Sequence, residues 1–332
     1  MDNLLNKNDL INIQNIHTQL IKNLTITNKD SIIIGLSGGI DSTVLLHILY
    51  YIRKIDVSLK LKAVHVNHNL SKNAKLWQDF CISICNEFDI PIEIHIVDIK
   101  RNGGESLENI ARIKRYEVFS QYSSNSIIVL AHHNNDQIET LVSQIIRGSD
   151  LHNIAGMREL SCKQDLIIYR PLIKLSKNVI EDYAKINAIK FIVDESNENQ
   201  RFLRNFVRLS VLPLLIDYNQ NIMTKLNNLS ESLQNNCDLI DELAKSDLIN
   251  SSKLENNATI IIVSRLLELS YLRQINLINF FLKQNSLLQV SQHQIKEFIR
   301  QISSASWDKK PNIKLASDIY LVKDKDLIYI KK

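Results

Sequence analysis

Six consecutive residues, Ser37-Gly38-Gly39-Ile40-Asp41-Ser42, lie between an apolar run ending at Leu36 and a helical pattern. Adjacent glycines let the backbone turn tightly and bring its N–H groups against an anion. Ser37 and Ser42 add hydroxyl donors, and a helix starting here contributes its positive end. Ser37, Gly38, Gly39, Ile40, Asp41 and Ser42 therefore form a phosphate cradle. No Gly-Lys-Ser/Thr follows, which excludes the lysine-bearing phosphate loop. Asp41 calls for a cation, because a carboxylate beside a polyphosphate must itself be neutralised, and magnesium suits that task.

A second chemical run, Ala131-His132-His133-Asn134-Asn135-Asp136-Gln137-Ile138-Glu139-Thr140, follows a β-rich segment and opens a helix, with Asp136 and Glu139 on one face. Acids in a first helical turn are ordinarily caps. Beside a phosphate loop they can also hold magnesium on a polyphosphate or receive the ammonium of an amine substrate. Asp41 and Asp136 are the candidate magnesium ligands, and Glu139 or His133 the candidate general bases. Ala63-Val64-His65-Val66-Asn67-His68 ends another β-rich run, where a base would lie if its phosphates sat in the loop, so His65 is a candidate nucleotide contact. The His65/His68 pair lacks a matching Cys/Asp constellation and reads as pocket lining rather than a zinc site. Arg112 pairs with Glu108 in the plain reading; in the sharper one its fork meets a nucleotide phosphate and offsets charge as a leaving group departs. Arg201, Arg204 and Arg208 form a basic stripe, either a solvated face or a grip on nucleic acid or a second substrate.

These groups must be positioned by the elements between them. From about Ser31 to Gly148 the sequence alternates strand 31–36, helix 42–54, strand 60–66, helix 72–88, strand 91–97, helix 106–120, strand 126–131 and helix 134–147. Such alternation predicts an α/β fold, a Rossmann-like doubly wound parallel sheet with helices on both faces. Ligands then bind beyond the carboxyl ends of the strands, so the motifs after 36, 66 and 131 converge. Cys81 and Cys85 share the apolar face of helix 72–88 and read as core. Residues 149–172 read as a loop with an edge strand from Leu166, and 176–215 as two helices around the polar turn Asp194–Asn199. Helices at 220–248, 260–285 and 290–301 and strands near 312–316, 319–323 and 327–331 follow. The expected domains are 1–217 and 218–332, the second smaller and mainly helical.

The 332 residues are 45% hydrophobic, with 40 Lys+Arg against 36 Asp+Glu, a net charge of +4 that permits a polyanionic partner without requiring one. The four cysteines match neither a disulfide framework nor a metal spacing, which points to a reducing, cytoplasmic setting; an organelle-encoded protein of the plastid stroma is the alternative. The N-terminus has no basic flank with a long apolar core, and no apolar run reaches membrane-spanning length, so no membrane partner is expected. A homodimer is compatible with the sequence.

The 37–42 loop resembles the signature of the PP-loop ATP pyrophosphatases, which split ATP into AMP and pyrophosphate to adenylate an acceptor. With Val64-His-Val-Asn-His-Asn-Leu70, Ala111-Arg-Ile-Lys-Arg-Tyr116, Ala131–Thr140, Arg147-Gly148, Gly156-Met157, Arg170-Pro-Leu172, Asp194-Glu-Ser-Asn197, Arg204-Asn-Phe-Val-Arg208 and Leu212-Pro-Leu-Leu215, the chain resembles the tRNA(Ile)-lysidine synthetase family over about 30–217. The resemblance implies ATP with magnesium, free lysine, and the isoleucine tRNA with a CAU anticodon as partners. ATP would adenylate C2–O of the wobble cytidine and the lysine ε-amine would displace AMP. By the same resemblance Asp41 takes magnesium, Asp136 and Glu139 magnesium or lysine, Arg112 phosphate, Arg204 and Arg208 phosphate or tRNA, and the C-terminal domain contacts tRNA. Longer family members carry two C-terminal subdomains; here there is room for a helical one and a hairpin-sized remnant of the other. The competing readings are tRNA thiolation, which needs a persulfide or cluster-binding cysteines; a small-molecule synthetase, which needs an ammonia source; and a nucleotide- or tRNA-binding module without turnover.

Overall fold

A computed structural model describes residues 11–99, 107–163, 165–193, 202–255, 258–285, 287, 290–304, 306, 309–316 and 318–331. The chain divides into two compact units, residues 1–233 and 234–332, each taken by itself below.

The first unit starts with α1 (Ile13–Thr27) and then alternates β1 (Ser31–Gly35), α2 (Ile40–Ile55), β2 (Lys60–Asn67), α3 (Ala74–Glu87), β3 (Ile92–Ile96), α4 (Leu107–Ser120), β4 (Ser126–Val129) and α5 (Asn134–Ile146). The alternation expected from the sequence is present, with ends shifted by a residue or two. It continues through α6 (Leu151–Ile154), β5 (Leu160–Lys163), β6 (Leu166–Tyr169), α7 (Lys177–Ile186), α8 (Leu203–Phe206), a π-helical turn at Val207–Val211, α9 (Leu212–Tyr218) and the start of α10 (Ile222–Ser251). Strand order is β3-β2-β1-β4-β6-β5, parallel throughout except for β5 against β6. Ser31 lies opposite both Lys60 and Ser126, so the starts of β1, β2 and β4 are level. Ile32, Ile33 and Ile34 are buried, as a parallel strand covered on both faces requires.

Chain order runs outward from β1 to β2 and β3, then returns to the other side of β1 for β4. Loops leaving the carboxyl ends of β1 and β4 therefore diverge to opposite faces and leave a crevice between them, the topological switch point of a doubly wound sheet. The phosphate loop and the His132–Glu139 run flank that crevice.

Two expectations are corrected. The strand from Leu166 is not an edge: β6 lies between β4 and β5, and β5, read from sequence as loop, is the edge. Its Leu-Ser-Cys-Lys alternation spans only four residues, too short a run to mark a strand. In the second unit the expected helix 260–285 divides into β8 (Ala258–Ile262), α11 (Val263–Leu267) and α12 (Tyr271–Gln284), after β7 (Ser252–Glu255). The β-branched run Thr259-Ile-Ile-Ile262 favours strand. After α13 (Gln292–Ser304), β9 (Asn312–Ala316), β10 (Ile319–Asp324) and β11 (Leu327–Lys331) join β7 and β8 in an antiparallel sheet ordered β7-β8-β11-β10-β9, larger than the expected hairpin. Ile261, Leu277, Phe281, Phe298, Ile299, Leu321 and Ile328 form its core. Among the described residues no helix is long and apolar enough to cross a membrane.

Helix α5 is locked from behind by Gln137. Its amide donates to Met157 O (2.9 Å) and Ser230 Oγ (2.8 Å) and accepts from Met157 N (2.7 Å). Gly156 has φ +80°, and a Cβ there would lie 2.9 Å from the Gln137 amide atoms; Gly148, at φ +64°, has nothing within 4 Å. Gly156→Ala is expected to lower stability by about 2–3 kcal/mol in urea melts, against about 1 kcal/mol for Gly148→Ala, which bears only the backbone strain. Equal losses would remove the packing argument. His47 of α2 is buried with its Nδ1 3.1 Å from the Tyr183 hydroxyl, and burial, then the Lys54 charge, hold its pKa down at about 4. The unfolded chain takes up that proton first, so this contribution is complete above about pH 6.5 and is lost as pH falls toward 4. Urea midpoints at pH 7 and pH 5 should differ less in His47→Gln than in the parent.

Candidate active site

The phosphate loop is wound around one hydroxyl. Ser42 Oγ accepts from Ser37 N (3.2 Å) and Gly38 N (3.1 Å) and donates to Gly39 O (3.0 Å), while Thr43 Oγ1 donates to Gly39 O (2.9 Å). The sequence suggested Ser42 as a donor to phosphate; the structure turns its hydroxyl inward. Gly39 is the N-cap of α2 and offers no side-chain cap, so Ile40, Asp41 and Ser42 begin a helix whose first N–H groups face outward from that end. Gly38 has φ +89°, and a Cβ there would come 3.1 Å from both Cys81 Sγ and Ile192 Cδ1. Ile192 N also donates to Gly38 O at 2.9 Å, so the segment after α7 braces the loop from below. No sequence signal marked Ile192.

His65 lies beneath the same turn. Its Nδ1–H donates to Leu36 O (2.9 Å), and Cys81 Sγ is 3.4 Å from that nitrogen. The ring thus ties the carboxyl end of β2 to that of β1. Cys81 and Cys85 are fully buried and burial pushes both thiols up to about 12, in keeping with the core role expected for them.

Across the crevice, His133 is the N-cap of α5 in a reciprocal capping box: His133 N donates to Asp136 Oδ2 (2.9 Å) and Asp136 N to His133 Nδ1 (3.4 Å). Because Nδ1 accepts, the other nitrogen carries the proton. That Nε2 is 3.6 Å from Asp41 Oδ1 and 3.5 Å from Asp136 Oδ2, so it faces both acids. Arg204 closes the group from α8, its Nε donating to Glu139 Oε2 (2.7 Å) and an Nη to Asp136 Oδ1. Asp41, His133, Asp136, Glu139 and Arg204 form one connected constellation, with Glu139 only 2% exposed.

The charges within it differ in condition. Burial works against the Asp136 carboxylate, yet Arg204 and then His133 and His132 hold its pKa below the ordinary range. Asp41 is raised, by burial and then by the Asp136 charge, despite His133 and Lys177. Asp41 Oδ1 is enclosed and accepts no hydrogen bond, while both Asp136 oxygens are engaged. Asp41 thus fits a divalent cation, with an orphaned oxygen at the mouth of an anion-binding turn.

Other sequence candidates are placed differently. Arg112 is exposed and its Nη2 donates to Asn109 Oδ1 (3.0 Å) on its own helix, the Glu108 pair being absent from the described ion pairs. Arg204, read as one member of a basic stripe, is turned into the acids, and Arg208 donates to Asn205 Oδ1 (2.9 Å). Arg201 and the Asp194–Asn197 motif lie outside the described residues.

A family model described as a PP-loop domain matches residues 10–215, and one described as the TilS substrate binding domain matches residues 263–324. The chain is 34% identical over 288 residues to a tRNA(Ile)-lysidine synthase of Nitrosomonas europaea, covering 84% of this chain but 60% of that relative's length. It is 32% identical to one of Actinobacillus pleuropneumoniae serotype 3, covering 90% of this chain and 69% of the relative. Among solved structures, a U34-tRNA thiolase of Methanococcus maripaludis with its 4Fe-4S cluster is similar in fold, at TM-score 0.50 and 18% identity, covering 61% of this chain and 71% of that one. Similarity of a third of positions over nearly the whole chain, on a PP-loop core, settles the kinship: this chain belongs to the tRNA(Ile)-lysidine synthase family.

Proposed function

We propose that the chain joins free lysine to C2 of the wobble cytidine of the isoleucine tRNA with a CAU anticodon, consuming ATP and giving lysidine, AMP and pyrophosphate through an adenylated cytidine. The kinship with tRNA(Ile)-lysidine synthases supports tRNA lysidine formation. The observation that carries the finer reading is the orphaned Asp41 Oδ1 between the phosphate loop and the Asp136–Glu139–Arg204 group.

C2 of cytosine is a poor electrophile, and turning its oxygen into an adenylate supplies a good leaving group. The turn at 37–39 presents the first N–H groups of α2, from Ile40 onward, to the departing phosphates. Asp41, and Asp136 beside it, would hold magnesium, which would neutralise charge on the polyphosphate. Asp136 and Glu139 carry two negative charges against the single positive charge of Arg204, and that excess attracts the cationic lysine. Arg204 fixes both carboxylates in place before lysine arrives. The acids receive the α-ammonium of lysine, while the attacking ε-amine must give its proton to solvent before it displaces AMP, since an ammonium cannot attack. His133, with its proton on Nε2 between two acids, orients Asp41 and Asp136 rather than acting as a base in this state.

The test is pyrophosphate and AMP release by the full chain. Release is expected only with ATP and the CAU-anticodon tRNA, with one AMP per lysidine when lysine is added. Release without RNA, or only with a sulfur donor, would overturn the reading. Asp41→Ala should abolish release. Glu139→Gln should raise the KM for lysine by about tenfold or more, the scale of a lost charged hydrogen bond, while pyrophosphate release with tRNA persists.

A further inference from the structure

The carboxyl edge of the sheet holds a second group of cationic and neutral donors that the reaction above does not use. On α4, Ala111, Arg115 and Val118 are four and three residues apart and share one stripe, and Ala111 and Val118 are buried. The Arg115 stem therefore leaves beside the buried Ala111–Val118 line, with Arg112 about 60° away round the helix. Side chains on a helix lean toward its N-terminus, which takes Arg115 toward the end of the sheet where the loops lie. Its head remains accessible to solvent, and among the described residues no ion pair or hydrogen bond to it is found.

The same carboxyl edge of the sheet carries imidazoles without partners. Both ring nitrogens of His68, after β2, and Nδ1 of His132, after β4, are enclosed and make no hydrogen bond. Burial first, and then the Arg115 charge among others, hold His65, His68 and His132 below the ordinary range, His68 at about 4 and His132 at about 3. His68 and His132 are thus neutral at physiological pH, each keeping one N–H to donate, whereas the His65 N–H is already given to Leu36 O. The like charges of Arg204 and Arg112 also bear on the Arg115 cation. An anion at this point would relieve like-charge repulsion and satisfy the orphaned rings together.

We propose that Arg115, with His68 and His132, forms a second phosphate site at the carboxyl edge of the sheet, built from residues separate from the 37–42 loop, that holds one phosphate group of a nucleotide or of an RNA backbone. Its role in catalysis rests on the function proposed above; its existence as a phosphate site does not.

Calorimetry on the full chain, with AMP, inorganic pyrophosphate and a CAU anticodon stem-loop RNA as separate probes, tests it. Arg115→Ala should weaken AMP about tenfold or more and leave pyrophosphate within about twofold, because the loop is intact. Arg115→Lys, which keeps charge but not the fork, should recover part of the loss. If the phosphate is an RNA backbone group, AMP is unchanged while the stem-loop weakens and its salt slope falls by about one. His68→Ala gives an independent measure should Arg115→Ala fold poorly. Affinities for all three probes within about twofold of the parent in both alanine variants would overturn the site, as would a parent that binds none of them. A parent that binds AMP through Arg115 yet releases no pyrophosphate with tRNA would leave the site standing and remove the reaction instead.

Discussion

Two carboxylates side by side in a nearly closed crevice stay ionised only if a cation lies between them. Asp136 and Glu139 meet that condition through Arg204, whose planar fork reaches one acid with Nε and the other with Nη. Removing one member of such a group would leave an uncompensated buried charge. The arrangement therefore constrains everything attached to it: the capping box that starts α5, the imidazole of His133, and through it the side chain of Asp41 across the crevice.

Sheet topology brings the two halves of this group together. The phosphate loop belongs to the β1–α2 connection and the acids to the β4–α5 connection, and these strands are adjacent although three helices and two strands lie between them in the chain. Asn134 N donating to Leu175 O (2.9 Å) and Lys177 N to Asn135 Oδ1 (3.1 Å) pin the start of α5 to the segment entering α7. Gln137 fixes its next turn to Met157 and Ser230. Acids presented by so firmly held a helix keep their spacing whatever the surface loops do.

Much of this was legible in the sequence, and the pattern of misses has physical causes. The strand, Ser-Gly-Gly turn and helix announce an anion site because glycine and backbone geometry are local matters. Asp136 and Glu139 could be placed on one face by helical spacing alone. Their partner could not: Arg204 is 65 residues from Glu139, and a basic stripe on paper gives no hint that one of its members turns inward. Spacing likewise suggested Arg112 for phosphate, while the buried stripe of α4 passes through Arg115. The edge strand β5 escaped because its alternation covers only four residues, and β8 because a short apolar run of Ile suits helix and strand alike. What the sequence encodes locally was readable; what depends on a distant partner was not.

The inward hydroxyl of Ser42 has a consequence of its own. By taking up the N–H groups of Ser37 and Gly38, it sets the curvature of the turn before any ligand arrives. A guest then meets the remaining amides, from Ile40 onward, already aimed, and little chain entropy is lost on its entry. The same stiffness limits adaptation: a cradle that cannot relax discriminates by shape, favouring anions whose oxygens match a fixed arc over those that merely carry more charge.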